Sequence, residues 1–154
     1  MPNLIETRLA DLGITLPSAP MPAANYVPFV VTGKLVFISG QISQNEGGLI
    51  KGRLGADMDV EAGAGAARAC GIAILAQLKN ACEGDLARVV RAVKLGGFVN
   101  STPDFTDQPK VINGASDLMV AVFGDAGRHA RAAVSAPSLP LGVAVEIDAV
   151  FEIA

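Results

Sequence analysis

From Val143 to Ile153 the chain alternates. Val143, Val145, Ile147, Ala149, Phe151 and Ile153 share one parity, and Glu146, Asp148 and Glu152 fall on the other. A period of two predicts a strand with one face on a core and a row of carboxylates facing water, a cleft or a neighbour. A helical period runs from Val60 to Glu83, where Ala67, Cys70, Gly71, Ile74, Leu75, Leu78, Ala81 and Cys82 follow the i, i+3, i+4, i+7 stripe. Gly63, Gly65 and Gly71 each weaken that helix by up to about 1 kcal/mol relative to Ala, and small residues on its packing face predict close approach to a sheet. A second stripe, Val111, Ile112, Ala115, Leu118, Met119, Val122 and Phe123, has Thr106 or Asp107 as its cap, Pro109 in its first turn and Gly124 as its stop. At the start, Asn3 and Glu6 form a capping-box pattern, Ile5, Leu9 and Leu12 share a face, and Gly13 ends a short helix.

Between these helices the pattern is that of strands. VPFVVT and LVFIS flank Gly33-Lys34, a two-residue connection that closes a hairpin, and Pro28 pushes its first strand to a sheet edge. ISQNEGGLIKGRLG reads as a loop or weak hairpin. RVVRAVKLGGFV reads as a strand with apolar residues on both faces and a bulge or bend at Gly96-Gly97. The proline-rich LPSAPMPAANY is expected to run extended over the surface. The order helix, hairpin, helix, strand, helix, strand, strand implies an α+β fold with helices on one face of a sheet.

A length of 154 residues fits a single domain, 1–154, in which 1–25 supply the first helix and an extended arm. Hydrophobic residues make up 51% and aromatics only 5%, a balance that excludes disorder. Charged residues interrupt every apolar stretch before the roughly 18 to 20 residues that cross a bilayer, so the surplus apolar surface is expected to meet another subunit. A net charge of −3 without any basic run leaves no electrostatic footprint for nucleic acid. Cys70 and Cys82 form no CxxC pair, and with one His the chain offers no ordinary zinc site; both cysteines are expected reduced and core-facing. The N-terminal stretch lacks a secretory pattern, which gives a cytoplasmic address by default and leaves the sequon at Asn100 without meaning. GAGAAR partly mimics a dinucleotide fingerprint, but the residues before it are not a buried strand.

No nucleophile motif stands out: Ser39 lies in SGQ rather than GxSxG, and His129 is expected to face solvent in a loop. Arg131 opens a small-residue strand, ARAAV, ahead of LPLGVAVEIDAV. On residues alone it is equally a strand-end arginine paired with Glu146 or Asp148 and a ligand for an anionic group. SGQI at Ser39–Ile42, ARAAV from Ala130 and LPLGVAVEIDAV, in this order, resemble the YjgF/YER057c/UK114 family, also called the Rid family. The likeness covers nearly the whole chain from Tyr26 onward.

That resemblance implies a chorismate-mutase-like fold with two main helices on one face of a mixed sheet, and a homotrimer with clefts between subunits. It implies hydrolysis of reactive enamines and imines of the 2-iminobutanoate and 2-iminopropanoate type to 2-keto acids and ammonia, with neither cofactor nor metal. By motif, Arg131 would bind the substrate carboxylate and Glu146 would stand near the catalytic water. Tyr26, Ser39, Gly40, Gln41 and Asn113 would line the cleft. A planar guanidinium suits a carboxylate because it grips both oxygens, and a protonated imine needs little beyond a placed water and a proton acceptor. Two departures stand out: Ala132 and Ala133 replace the Ser and Cys usual after the arginine, and the opening helix extends beyond the short archetype. A keto-acid-binding protein without catalysis is the alternative, and an endoribonuclease ranks last.

Overall fold

The computed structural model describes residues 3–19 and 25–154. Helix α1 (Leu4–Asp11) begins where the Asn3 side chain accepts the Glu6 N–H at 2.9 Å, and it ends at Gly13, whose φ of +70° suits a residue without Cβ. Ile5 and Leu9 turn inward, while Leu12 at the C-cap is exposed rather than part of the stripe. The extended run expected after it falls partly on residues 20–24, outside the described residues.

Strands β1 (Phe29–Thr32) and β2 (Leu35–Ile42) close the hairpin at Gly33-Lys34, with Thr32 opposite Leu35 and Gly33 at φ +60°. A two-rung hairpin follows, β3 (Gln44–Asn45) and β4 (Gly48–Leu49). Helix α2 (Val60–Ala81), strand β5 (Val89–Asn100), helix α3 (Gln108–Phe123), strand β6 (Ala130–Ala136) and strand β7 (Val145–Ile153) complete the chain. The main sheet has the order β1-β2-β7-β5-β6; only the β5–β6 pair is parallel, and the helical crossover α3 joins those two strands. Residues 143 to 153 of odd number are all buried, as the alternation predicts, because α2 and α3 cover that face. β1 is the edge strand that Pro28 calls for.

The other face carries Glu146, Asp148, Val150 and Glu152 and has no covering layer among the described residues. Val30, Phe37 and Val134 lie on it at 51%, 45% and 47% exposure. The apolar residues on the second face of β5 are therefore not covered within one chain.

Three local expectations are corrected. The irregularities in β5 fall between Val89 and Arg91 and between Ala92 and Lys94, whereas Gly96 and Gly97 pair in unbroken register with Asp148 and Ile147. The two glycines serve close approach instead: a Cβ on Gly96 would strike the Asp148 carboxylate, and one on Gly97 would overlap Ile112 at 2.6 Å. The small residues of α2 meet the second helix more than the sheet, since a Cβ on Gly71 would sit 2.9 Å from Leu118 and one on Gly63 would crowd Leu54 and Val111. Asp107 holds the N-cap position of α3 but makes no capping bond; its carboxylate lies 3.7 Å from Lys110.

Cys70 and Cys82 are free and buried. Burial, and then the charge of Glu146, push the Cys70 thiol far above its ordinary range, so it stays protonated and donates to the Val145 carbonyl at 3.4 Å. The glycines of GAGAAR lie inside α2, whose N-terminus carries Asp59 and Glu61, carboxylates that would repel a phosphate there. Among the described residues no helix is long and apolar enough to cross a membrane.

The tightest helix contact is at Gly114 of α3, where a Cβ would collide with the Ala64 carbonyl of α2. Backbone cannot yield as a side-chain tip can, so Gly114→Ala is expected to cost about 3 kcal/mol, the upper end of overpacking. Gly65 of the same interlocking sequence has nothing within 4 Å, and Gly65→Ala should instead stabilise by about 0.5 to 1 kcal/mol. Urea denaturation of the two variants beside the wild type checks both signs.

Candidate functional site

Arg131 lies on β6, the edge strand opposite to β1, beside Leu95 of β5, and shares its helix-facing side of the sheet. Being at the edge, its side chain reaches past the core to α3. Nη1 donates to Asn113 Oδ1 at 2.7 Å and to Ser116 Oγ at 3.2 Å. Asn113 and Ser116 are three residues apart and so stand on one helical face. Ser116 Oγ lies 2.9 Å from His129 Nε2, and His129 Nδ1 lies 2.6 Å from the Gly127 carbonyl. A carbonyl only accepts, so the Nδ1 proton is fixed there; in the neutral ring Nε2 accepts from Ser116, and Ser116 accepts from Arg131. His129 is thus half-buried and bonded at both nitrogens, not simply solvent-facing. Both Nη1 hydrogens are used, whereas Nε and Nη2 have no partner among the described residues. That edge of the guanidinium is a free two-pronged donor of the shape a carboxylate fits.

Glu146 stands elsewhere. It pairs with Ile42 on one side and Phe98 on the other, on the open face of the sheet. Its carboxylate lies over Gly40, where an added Cβ would come within 2.9 Å of Oε2. Gly40 falls in the register break of β2 between Ile38 and Gln41, so the missing side chain and the irregular strand together make room for the carboxylate. Ser39 and Gly40, with Phe37, Lys94, Gly96 and Asp148, line a concavity of about 480 Å³ on this face. Ser39 Oγ donates to the Val27 carbonyl at 2.7 Å, which ties down the segment after Tyr26, itself 55% exposed. Gln41 is buried opposite Ile147, and its amide donates to the Ser39 carbonyl at 2.9 Å.

The structure therefore assembles the predicted residues into two groups. Arg131 and Asn113 form one, at the sheet edge beside α3; Ser39, Gly40 and Glu146 form the other, on the open face, with Gln41 behind them. Within one chain the groups face opposite sides of the sheet, and Arg131 pairs with neither Glu146 nor Asp148. Ser116 and His129 belong to the first group: the sequence analysis passes over Ser116 and expects His129 to face solvent. The signal for Ser116 was its one-turn spacing from Asn113; that for His129 was its shared parity with Arg131.

Partial burial, and then Asp148, raise the Glu146 carboxyl above its ordinary range. Burial raises Asp148 as well, against the opposing pull of the Gly96 backbone and Lys94. A carboxyl whose pKa is raised by folding holds its proton more tightly in the native state. Its contribution to stability is full below the unfolded pKa and is lost as pH rises through the folded one. Glu146→Gln and Asp148→Asn are therefore expected to stabilise the fold at pH 7, each by less than about 1 kcal/mol, the scale of partly exposed charges. The gain should vanish at pH 3 to 4, roughly where the unfolded carboxyls also protonate. Urea titrations of both variants beside the wild type at the two pH values check it.

Residues 6–152 match the family described as "YjgF/chorismate_mutase-like, putative endoribonuclease". Protein TCP17 of Trypanosoma cruzi is 50% identical over 151 residues, covering 97% of this chain and 94% of that protein. Protein Atu1372 of Agrobacterium tumefaciens, a crystal structure of unknown function, is 50% identical, with a TM-score of 0.91 over 98% of this chain and 93% of that one. A "putative endoribonuclease" of Shewanella oneidensis is 36% identical, with a TM-score of 0.93 over 98% and 100%. With the α+β sheet, its two covering helices and a match that spans nearly every residue, the chain belongs to the YjgF/chorismate mutase-like family.

Proposed function

We propose that the protein hydrolyses 2-imino acids, in equilibrium with their enamines, to 2-keto acids and ammonia, at a cleft completed between copies in a homotrimer. The observation that carries this reading is the division of the site: a guanidinium with a free two-pronged edge stands on the edge strand β6, and a carboxylate of raised pKa stands on the opposite, uncovered face. The edge strand of one copy laid against the open face of another brings the two together, and Val30, Phe37 and Val134 supply apolar area for that contact.

The chemistry follows from the groups. Arg131 takes the substrate carboxylate through Nε and Nη2, which fixes the position of the adjoining imine carbon. Water adds to that carbon while Glu146 accepts one of its protons, a transfer favoured by a carboxyl held nearer neutrality than usual. Glu146 returns the proton to the amino nitrogen of the tetrahedral adduct. The C–N bond breaks as the hydroxyl oxygen closes to a carbonyl, and the hydroxyl proton leaves with ammonia as ammonium. Iminium and water thus become keto acid and ammonium, with no change of oxidation state.

Ala132 and Ala133 favour a second reading, a protein that holds a keto acid without turning over an imine, because neither offers a polar side chain beside Arg131. Saturable binding of 2-oxobutanoate with no acceleration of imine hydrolysis would establish it. The endoribonuclease named in the family description is disfavoured by the net charge of −3 and by the carboxylates on the open face, which repel phosphates.

Imines generated in situ by an amino-acid oxidase or dehydratase give the test, with ammonia release measured over spontaneous hydrolysis. Arg131→Ala is expected to lower kcat/KM at least about 100-fold, the scale of a lost charge-assisted pair. Glu146→Gln is expected to lower kcat about 100-fold or more with little change in KM, as for a general base. Unchanged turnover in Arg131→Ala would sink the deaminase reading.

A further inference from the structure

Arg131 must aim its charge at the substrate, and a long side chain on an edge strand does not aim itself. An exposed arginine surrenders about 2 kcal/mol of rotamer freedom when held in one pose, so something must fix it before substrate arrives if capture is to be strong. The hydrogen bonds at Nη1 do so, and they do not stop at the first partner.

We infer that Ser116 and His129 are positioning residues that lock the guanidinium of Arg131 with its Nε–Nη2 edge outward. The inference rests on the deaminase reading above and concerns the same arginine. Each link has a fixed direction. His129 Nδ1–H donates to the Gly127 carbonyl, so in the neutral ring Nε2 accepts; the Ser116 hydroxyl donates to Nε2, which turns an oxygen lone pair toward Arg131; Arg131 then donates from Nη1. A serine hydroxyl alone rotates freely and could point its proton at the guanidinium. His129 removes that freedom. Asn113 takes the other Nη1 hydrogen at 2.7 Å, so the two acceptors hold Nη1 from the α3 side.

The strand and the helix make the chain possible at little cost. His129 immediately precedes β6 and Arg131 is its second residue, and both side chains reach Ser116, while Asn113 and Ser116 are one turn apart on α3. The preceding turn, Gly124–Gly127, brings the Gly127 carbonyl to the ring; Gly127 is itself packed where a Cβ would collide with the Met119 carbonyl, which fixes that turn against α3. Ser116 and His129 also have the separation of a nucleophile and its base, but the oxygen already accepts from Arg131, which draws electron density away from it. Orientation of the arginine uses every bond present.

Steady-state kinetics on the full-length protein separate this role from a structural one. Ser116→Ala, which leaves α3 with a strong helix former, is expected to raise KM about tenfold with kcat within about twofold, because carboxylate capture is uniform binding. Ser116→Thr, which keeps the hydroxyl, should stay within about twofold of wild type in both constants. His129→Phe should raise KM about threefold. The double variant Ser116→Ala/His129→Phe should be no worse than Ser116→Ala alone, since His129 acts through Ser116; two independent structural defects would add. Wild-type KM in Ser116→Ala, or additive losses in the double variant, would overturn the inference while Arg131→Ala still abolishes turnover and the deaminase reading stands. Full turnover in Arg131→Ala would overturn both.

Discussion

The contact of α3 with α2 at Gly114 is the constraint from which the rest of the architecture follows. The Gly114 backbone lies so close to the Ala64 carbonyl that no Cβ fits, and a Cβ on Gly71 would crowd the Leu118 side chain. Two helices of 22 and 16 residues can then share one face of a five-stranded sheet and bury the odd-numbered side of β7 completely. The rotation that points Gly114 at α2 also turns Asn113 and Ser116 toward β6, where Arg131 finds them. Core packing and guanidinium placement are consequences of one helix orientation.

The opposite face follows a different logic. A sheet buried on both sides would have no use for Glu146, Asp148 and Glu152, and a sheet facing only water would have no use for Val30, Phe37 and Val134. The mixture suits the proposed cleft between copies. Gly40 and Gly96 sit under the carboxylates of Glu146 and Asp148, so the two acids lie against backbone instead of standing free. Partial burial there raises both carboxyls, which costs stability in the single chain and makes Glu146 a better proton acceptor near neutrality.

What was legible in the sequence was local. The parity of Val145 to Ile153, the stripe of α3, the Gly33-Lys34 turn and the Asn3 cap each depend on neighbours a few residues away, and each forms as the pattern predicts. Misread features depend on partners distant in sequence. The breaks in β5 are set by its pairing with β7, not by its glycines; Gly96 answers to Asp148 and Gly97 to Ile112. Ser116 and His129 carry no motif and acquire meaning only when the turn at Gly124–Gly127 folds β6 back beside α3. Arg131 and Glu146 were both visible as candidates, but their placement on opposite faces emerges only from the register that carries β6 through β5 to β7.

A site divided between copies has a direct signature in mixtures. Arg131→Ala and Glu146→Gln are each expected to be inactive alone, but when their subunits are exchanged at equal amounts, some clefts receive the arginine of one chain and the carboxylate of the other. Random exchange restores both groups to one cleft in four, so about a quarter of wild-type imine hydrolysis should return in the mixed assembly. A mixture that stays as inactive as its components, after exchange of subunits has been verified by mass, would place the whole site within a single chain and contradict the account.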